Sequence, residues 1–316
     1  MCYSQNCTNY LNYHLEINRA DSLIFLQSKP KEGLLKYIQI FNQYQNIFTK
    51  DLINAQSLSE HFGIKSVNFK KYLTKTQFFH ATDGTISTLK ISRDTFPDSL
   101  IRSRVDFDLR NRILELCAYD QVTKSFPPSS YERKKLYDTL FSIINRNGFP
   151  SELNVGLDDP LLTVRARLPH KSLEKYWKAI HLSKRFNHSL REEPEIIGFK
   201  AINLIMIHYP CAYDRLSKII TQEIEAGNIH PGEAALYYDN QFRFLKTVRS
   251  DCPDSFDNSI YFDHNPFSKS PSNFDADKTN IARYKLGLPS IELETAKKAF
   301  SDQTGIQLYW GFWGST

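Results

Sequence analysis

"FDLRNRILELCAYDQ", residues 107–121, places Leu109, Ile113 and Leu116 three or four apart and continues the same stripe to Asp120. An apolar spacing of three and four is that of one face of an α-helix, so the segment predicts a helix whose core face ends in an acid. Asp106 or Asp108 stands where a helix begins and is expected to cap it. Most of the strong periodicity elsewhere in the 316 residues is of this kind, and only twelve glycines occur. The fold class expected is therefore mainly α, a helical bundle domain preceded by a small helical module with one possible β-hairpin.

Outward from this helix the same pattern recurs. "EGLLKYIQIFNQYQNIF" (32–48) and "KDLINAQSLSEHF" (50–62) read as two helices, the second ended by Gly63, and "SVNFKKYLTKT" (66–76) as a third. Asp83-Gly84 between two runs rich in aromatic and β-branched residues is a hairpin signal. Pro97 punctuates the chain, so residues 1–97 are expected as a helical N-terminal module and 98–316 as a second helical domain. Within the latter, "EPEIIGFKAINLIMIHY" (193–209), "CAYDRLSKIITQEIEAG" (211–227) and "HPGEAALYYDNQFRFLK" (230–246) read as helices. Residues 249–280 read as loop, and "SIELETAKKAFSDQ" (290–303) as a final helix before an aromatic tail.

Composition narrows the function classes. A net charge of +5 is mild, so a nucleic-acid role requires a local patch and not the global field. No window approaches the roughly 18–20 apolar residues of a membrane span, and the N-terminus lacks the layout of a signal peptide, which points to a cytoplasmic protein without a membrane partner. Five scattered cysteines without a C-x-x-C pair argue against a disulfide framework. Neither H-x-x-x-H nor H-E-x-x-H occurs, and no nucleotide-binding glycine loop, so no metal and no cofactor are expected. Asp275-x-Asp277 has a spacing used for divalent metals but lacks a preceding strand, and loop acids are the better reading.

Three polar residues interrupt core faces. Ile197, Ala201, Leu204 and Ile205 form a stripe whose next member is His208, as Asp120 follows Leu116. A buried carboxylate needs a donor, and a histidine is a natural one, so Asp120 and His208 are expected to meet and to support acid–base chemistry. The plain alternative is that each caps a helix end or bonds to backbone. Asp239 borders the face formed by Ala235, Tyr238, Phe242 and Leu245, and is either a structural acceptor or part of a site.

The order of motifs "YDQ" (119–121), "NGFP" (147–150), "IIG" to "IHY" (196–209), "AALYYDNQ" (234–241) and "RYKLGLPSIE" (283–292) resembles an uncharacterised bacterial family. Its members carry Asp-Gln, Gly-Trp-Pro, Gln-His, Ala-x-Leu-x-Asp-Arg and Gly-Leu-Pro in that order, often behind a tetratricopeptide-like helical region. Arg283 is similar to a family arginine and is read as a fixed positive charge for Asp239 or for a small anionic ligand, or else as a surface arginine; with Asp239 and Gln121 it makes up the ligand-binding candidates. The resemblance departs at Phe149, Ile207 and Asn240, and residues 151–194 read as an insertion.

Three functions follow. An interaction or adaptor protein would bind a protein partner through its N-terminal helices. An enzyme would use His208 as acid or base with Asp120 as its orienter. A nucleic-acid binder would use a winged-helix layout in residues 50–92, presenting Lys65, Lys70, Lys71 and Lys75 to phosphates.

Overall fold

The computed structural model describes residues 9–64, 69–75, 106–123, 130–155, 199–209, 215–245, 261, 275–306 and 308. The protein is mainly α-helical, and no strand occurs among the described residues. None of the described helices is long and apolar enough to cross a membrane. The hairpin expected around Asp83-Gly84, the 156–194 part of the expected insertion and the boundary near Pro97 lie outside the described residues.

One compact unit comprises residues 1–76, 215–243 and 255–316, and the other residues 77–214 and 244–254. The N-terminal helices fall in the first of these units. They share a core with the C-terminal ones, because α1 (Tyr10–Phe25) packs against α11 (Ile291–Thr304).

α1 starts at Asn9, whose side chain accepts from the backbone N–H groups of Leu11 and Asn12. It buries Tyr10, Tyr13, His14, Ile17, Ala20, Asp21 and Ile24, a stripe at helical spacing that carries two ionisable groups. α2 (Pro30–Gln43) lies against it. The helix expected over 32–48 is shorter: it ends at Gln43, Tyr44 is extended, and Phe48 instead precedes α3 (Thr49–His61) as its N-cap residue. The segment expected as a third helix is a 3-10 helix, Phe69–Lys75. Gly63 closes α3 at φ 65°, as expected for a left-handed helix end.

The rest of this unit contributes α8 (Ile220–Glu225), α9 (Pro231–Leu245), α10 (Ala276–Leu286) and α11. The single helix expected over 211–227 is broken, since turns at 217–219 precede the short α8. α9 is buried on all sides from Pro231 to Asp239.

The second unit is built around α4 (Phe107–Thr123), which packs on α5 (Tyr131–Asn147), the single turn α6 (Glu152–Val155) and α7 (Phe199–Ile207). Asp106 Oδ1 accepts from Leu109 N at 2.9 Å and caps α4. Arg110, 1% exposed, donates to Val155 O at 2.7 Å and ties α4 to α6. The buried stripe of α4 runs Leu109, Ile113, Cys117, Asp120, whereas Leu116 is only half-buried.

Candidate functional site

α4 and α7 deliver their terminal polar residues to one place. α7 buries Ala201, Ile202, Asn203, Ile205, Met206 and Ile207, nearly its whole circumference, which fixes it between neighbours. Its last turn tightens, with His208 N donating to Ile205 O and Tyr209 N to Met206 O, both at 3.2 Å. The His208 ring then leaves the helix toward α4. His208 Nδ1 stands 2.6 Å from Asp120 Oδ2. The Asp120 side chain is 0% exposed and that of His208 is 23% exposed.

A carboxylate can only accept, so Nδ1 carries the proton and donates. Nε2 is then the basic nitrogen of the neutral ring, and among the described residues it has no hydrogen-bond partner. The backbone of His208 is held as firmly as its ring. Its carbonyl accepts from Arg133 Nη2 at 2.7 Å and from the Tyr137 hydroxyl at 3.1 Å. Tyr137 stacks on Tyr209 with ring centroids 4.0 Å apart. Burial, and next the Asp120 charge, push the Tyr137 hydroxyl well above its usual range despite the Arg133 guanidinium, so it remains a neutral donor.

The other residues expected at this site are placed differently. Gln121 lies on α4, but its side chain is outside the described residues. Asp239 and Arg283 belong to the first unit, where both converge on Tyr261. Asp239 accepts from Tyr261 N at 3.1 Å, while Arg283 donates to Tyr261 O at 2.5 Å and Pro289 O at 2.6 Å and pairs with Glu294. At 0% and 1% exposure they hold the Tyr261 backbone beside α9 and α10. Asp275 caps α10 by accepting from Lys278 N at 3.1 Å.

The lysines expected to face phosphates have other contacts where they are described. Lys75 Nζ donates to Phe41 O at 2.7 Å and Tyr44 O at 2.8 Å, satisfying carbonyls at the end of α2. Lys71 is exposed and lies over the Tyr72 ring, 4.7 Å from its centroid. Lys65, and the side chain of Lys70, are outside the described residues.

A second polar cluster, absent from the sequence reading, sits in the core of the first unit. Asp21 on α1 pairs with Lys297 on α11 and accepts from the Tyr37 hydroxyl at 2.5 Å. Asp51 on α3 accepts from the Tyr13 hydroxyl at 2.8 Å. Asp21, Asp51 and Lys297 are all buried. Burial raises the Asp51 carboxyl to about 7, against the lowering effect of the Tyr13 hydrogen bond. Beside the cluster the rings of His14 and His230 meet edge to face, centroids 4.6 Å apart. Desolvation lowers both, His14 to about 3. This cluster locks four helices, α1, α2, α3 and α11, together.

Comparison with protein-family models, with curated proteins and with solved structures gives no match to this chain.

Proposed function

We propose that the protein is an enzyme that moves a proton on a small polar or anionic substrate, with His208 as the acid or base and Asp120 as its positioning residue. The observation that carries this reading is the arrangement of the two ring nitrogens: Nδ1 held by a fully buried carboxylate, Nε2 without a partner among the described residues on a partly exposed ring. Nε2 accepts a proton from a substrate hydroxyl, amine or water, and the imidazolium so formed is stabilised by the Asp120 carboxylate at 2.6 Å. The same nitrogen returns the proton to the atom that departs. Arg133 and Tyr137 hold the His208 backbone, so the ring has little freedom to lose its aim. The likeness in motif order to an uncharacterised family brings no reaction with it, and an adaptor role has no comparable geometric support among the described residues.

A thermal-shift screen of metabolites against wild type and His208→Gln tests the reading. A compound that stabilises wild type and not the variant supports it and identifies the substrate class. Hits that stabilise both equally overturn it.

A further inference from the structure

The outer side of the α4–α5 pair carries a groove of about 860 Å³ whose rim holds Arg112, Lys134, Lys135 and Arg146. We propose that this groove binds single-stranded nucleic acid. All four cations are exposed, and none takes part in a salt bridge among the described residues. Two acids, Glu115 and Asp138, also line the groove. With two acids against four cations the groove keeps a net positive charge.

Its shape follows from helix periodicity. Tyr131, Lys134, Lys135, Asp138, Ser142 and Arg146 recur three, four or eight apart along one face of α5, so the charge is a stripe and not a point. From Tyr131 to Arg146 the stripe runs roughly 22 Å along the helix axis. A small anion fills one position on such a track, whereas a chain with regularly spaced phosphates reaches several. Leu116 and Ile143 give the groove an apolar floor between the cations. At one end Tyr131 is 74% exposed, the most exposed large hydrophobic side chain among the described residues, and presents its ring as a platform for an unpaired base. Separate cations and a free aromatic ring are the two components that single-stranded nucleic acid uses together. An acidic peptide would use the cations alone. None of these residues belongs to the His208–Asp120 pair, so the inference stands apart from the proposed chemistry.

Fluorescence anisotropy of a labelled oligothymidylate with the full chain provides the test, in wild type, Tyr131→Ala, Tyr131→Phe and the pair Lys134→Gln/Lys135→Gln. Neutral replacements on an exposed helix face leave folding intact, which matched melting curves check. With four phosphates neutralised, the logarithm of affinity should fall against that of salt with a slope of about −3, and the double variant should roughly halve it. Tyr131→Ala should weaken binding on the order of tenfold at unchanged slope, with Tyr131→Phe restoring it. Absence of binding at low salt, or binding indifferent to the lysine pair, overturns the proposal. So does a polyglutamate peptide that binds equally well and ignores Tyr131→Ala, which would identify an acidic protein as the occupant.

Discussion

His208 Nδ1 and Asp120 Oδ2 lie 2.6 Å apart although 88 residues separate them in the chain. Neither helix alone could hold its polar end in the core. Together they satisfy each other, and the contact leaves the second ring nitrogen available. Replacing Asp120 by Asn removes the charge that stabilises an imidazolium and lets the amide impose the other ring tautomer. Once a substrate is in hand, Asp120→Asn should lower kcat on the order of a hundredfold or more while changing KM little. A raised KM with unchanged kcat would reduce Asp120 to a binding role.

Asp21 and Lys297 are the corresponding pair in the first unit. Both are buried, so removing one partner leaves an uncompensated charge in the core. Lys297→Met should cost about 3–5 kcal/mol in urea denaturation. Combining it with Asp21→Asn should recover a large part of that loss, because the orphaned carboxylate is then gone. Additive losses in the double variant would show that the two side chains act independently.

Asp51 gives a pH dependence of definite sign. Its folded carboxyl is raised to about 7 from an ordinary 3.8, so the folded state holds the proton more tightly than the unfolded one. The stability linked to this group is fully present below pH 3.8 and is lost as pH rises through 7. His14 works in the opposite direction: lowered to about 3, it contributes stability above its ordinary value of 6.5 that is lost as pH falls toward 3. The two slopes oppose each other between these limits, which is why a variant is needed to separate them. Asp51→Asn keeps an acceptor for Tyr13 and cannot ionise. Its stability relative to wild type should rise by up to a few kcal/mol between pH 4 and pH 8. A difference independent of pH would mean that Asp51 does not titrate in this range.

Gly33 sits where α2 crosses α1. A Cβ there would come within 2.4 Å of Ile24 Cγ1 and 2.7 Å of Ala20 O. Alanine in a helix interior gains up to ~1 kcal/mol over glycine in propensity. Overpacking against a backbone oxygen costs about 1–3 kcal/mol or more, so the crossing should decide the outcome. Gly33→Ala is expected to lower Tm by several degrees, and an unchanged or raised Tm would show that the two helices part easily.

Among the described residues of the second unit, helix periods accounted for α4 and α7 because their stripes are apolar until the last member. α4 was legible to its capping aspartate, and α7 to the histidine that follows it. α1 was not legible, although its buried positions have clean helical spacing. Two of them are His14 and Asp21, and four of its seven buried side chains are polar, aromatic with a hydroxyl, or ionisable. A search for apolar stripes passes over such a face. Its polarity makes sense only when Lys297, Tyr37 and His230, all distant in sequence, close around it.

The sequence by itself determined that this is a helical protein and which faces turn inward, because local spacing of side chains and capping residues act within a few residues of the chain. Tertiary structure alone decided the partners. Asp120 received His208, Arg283 and Asp239 both reached the backbone of Tyr261, and α1 packed against α11. The physical reason is that a buried charge must find its counterpart wherever the packing of helices brings one, and that distance in space is not encoded in distance along the chain.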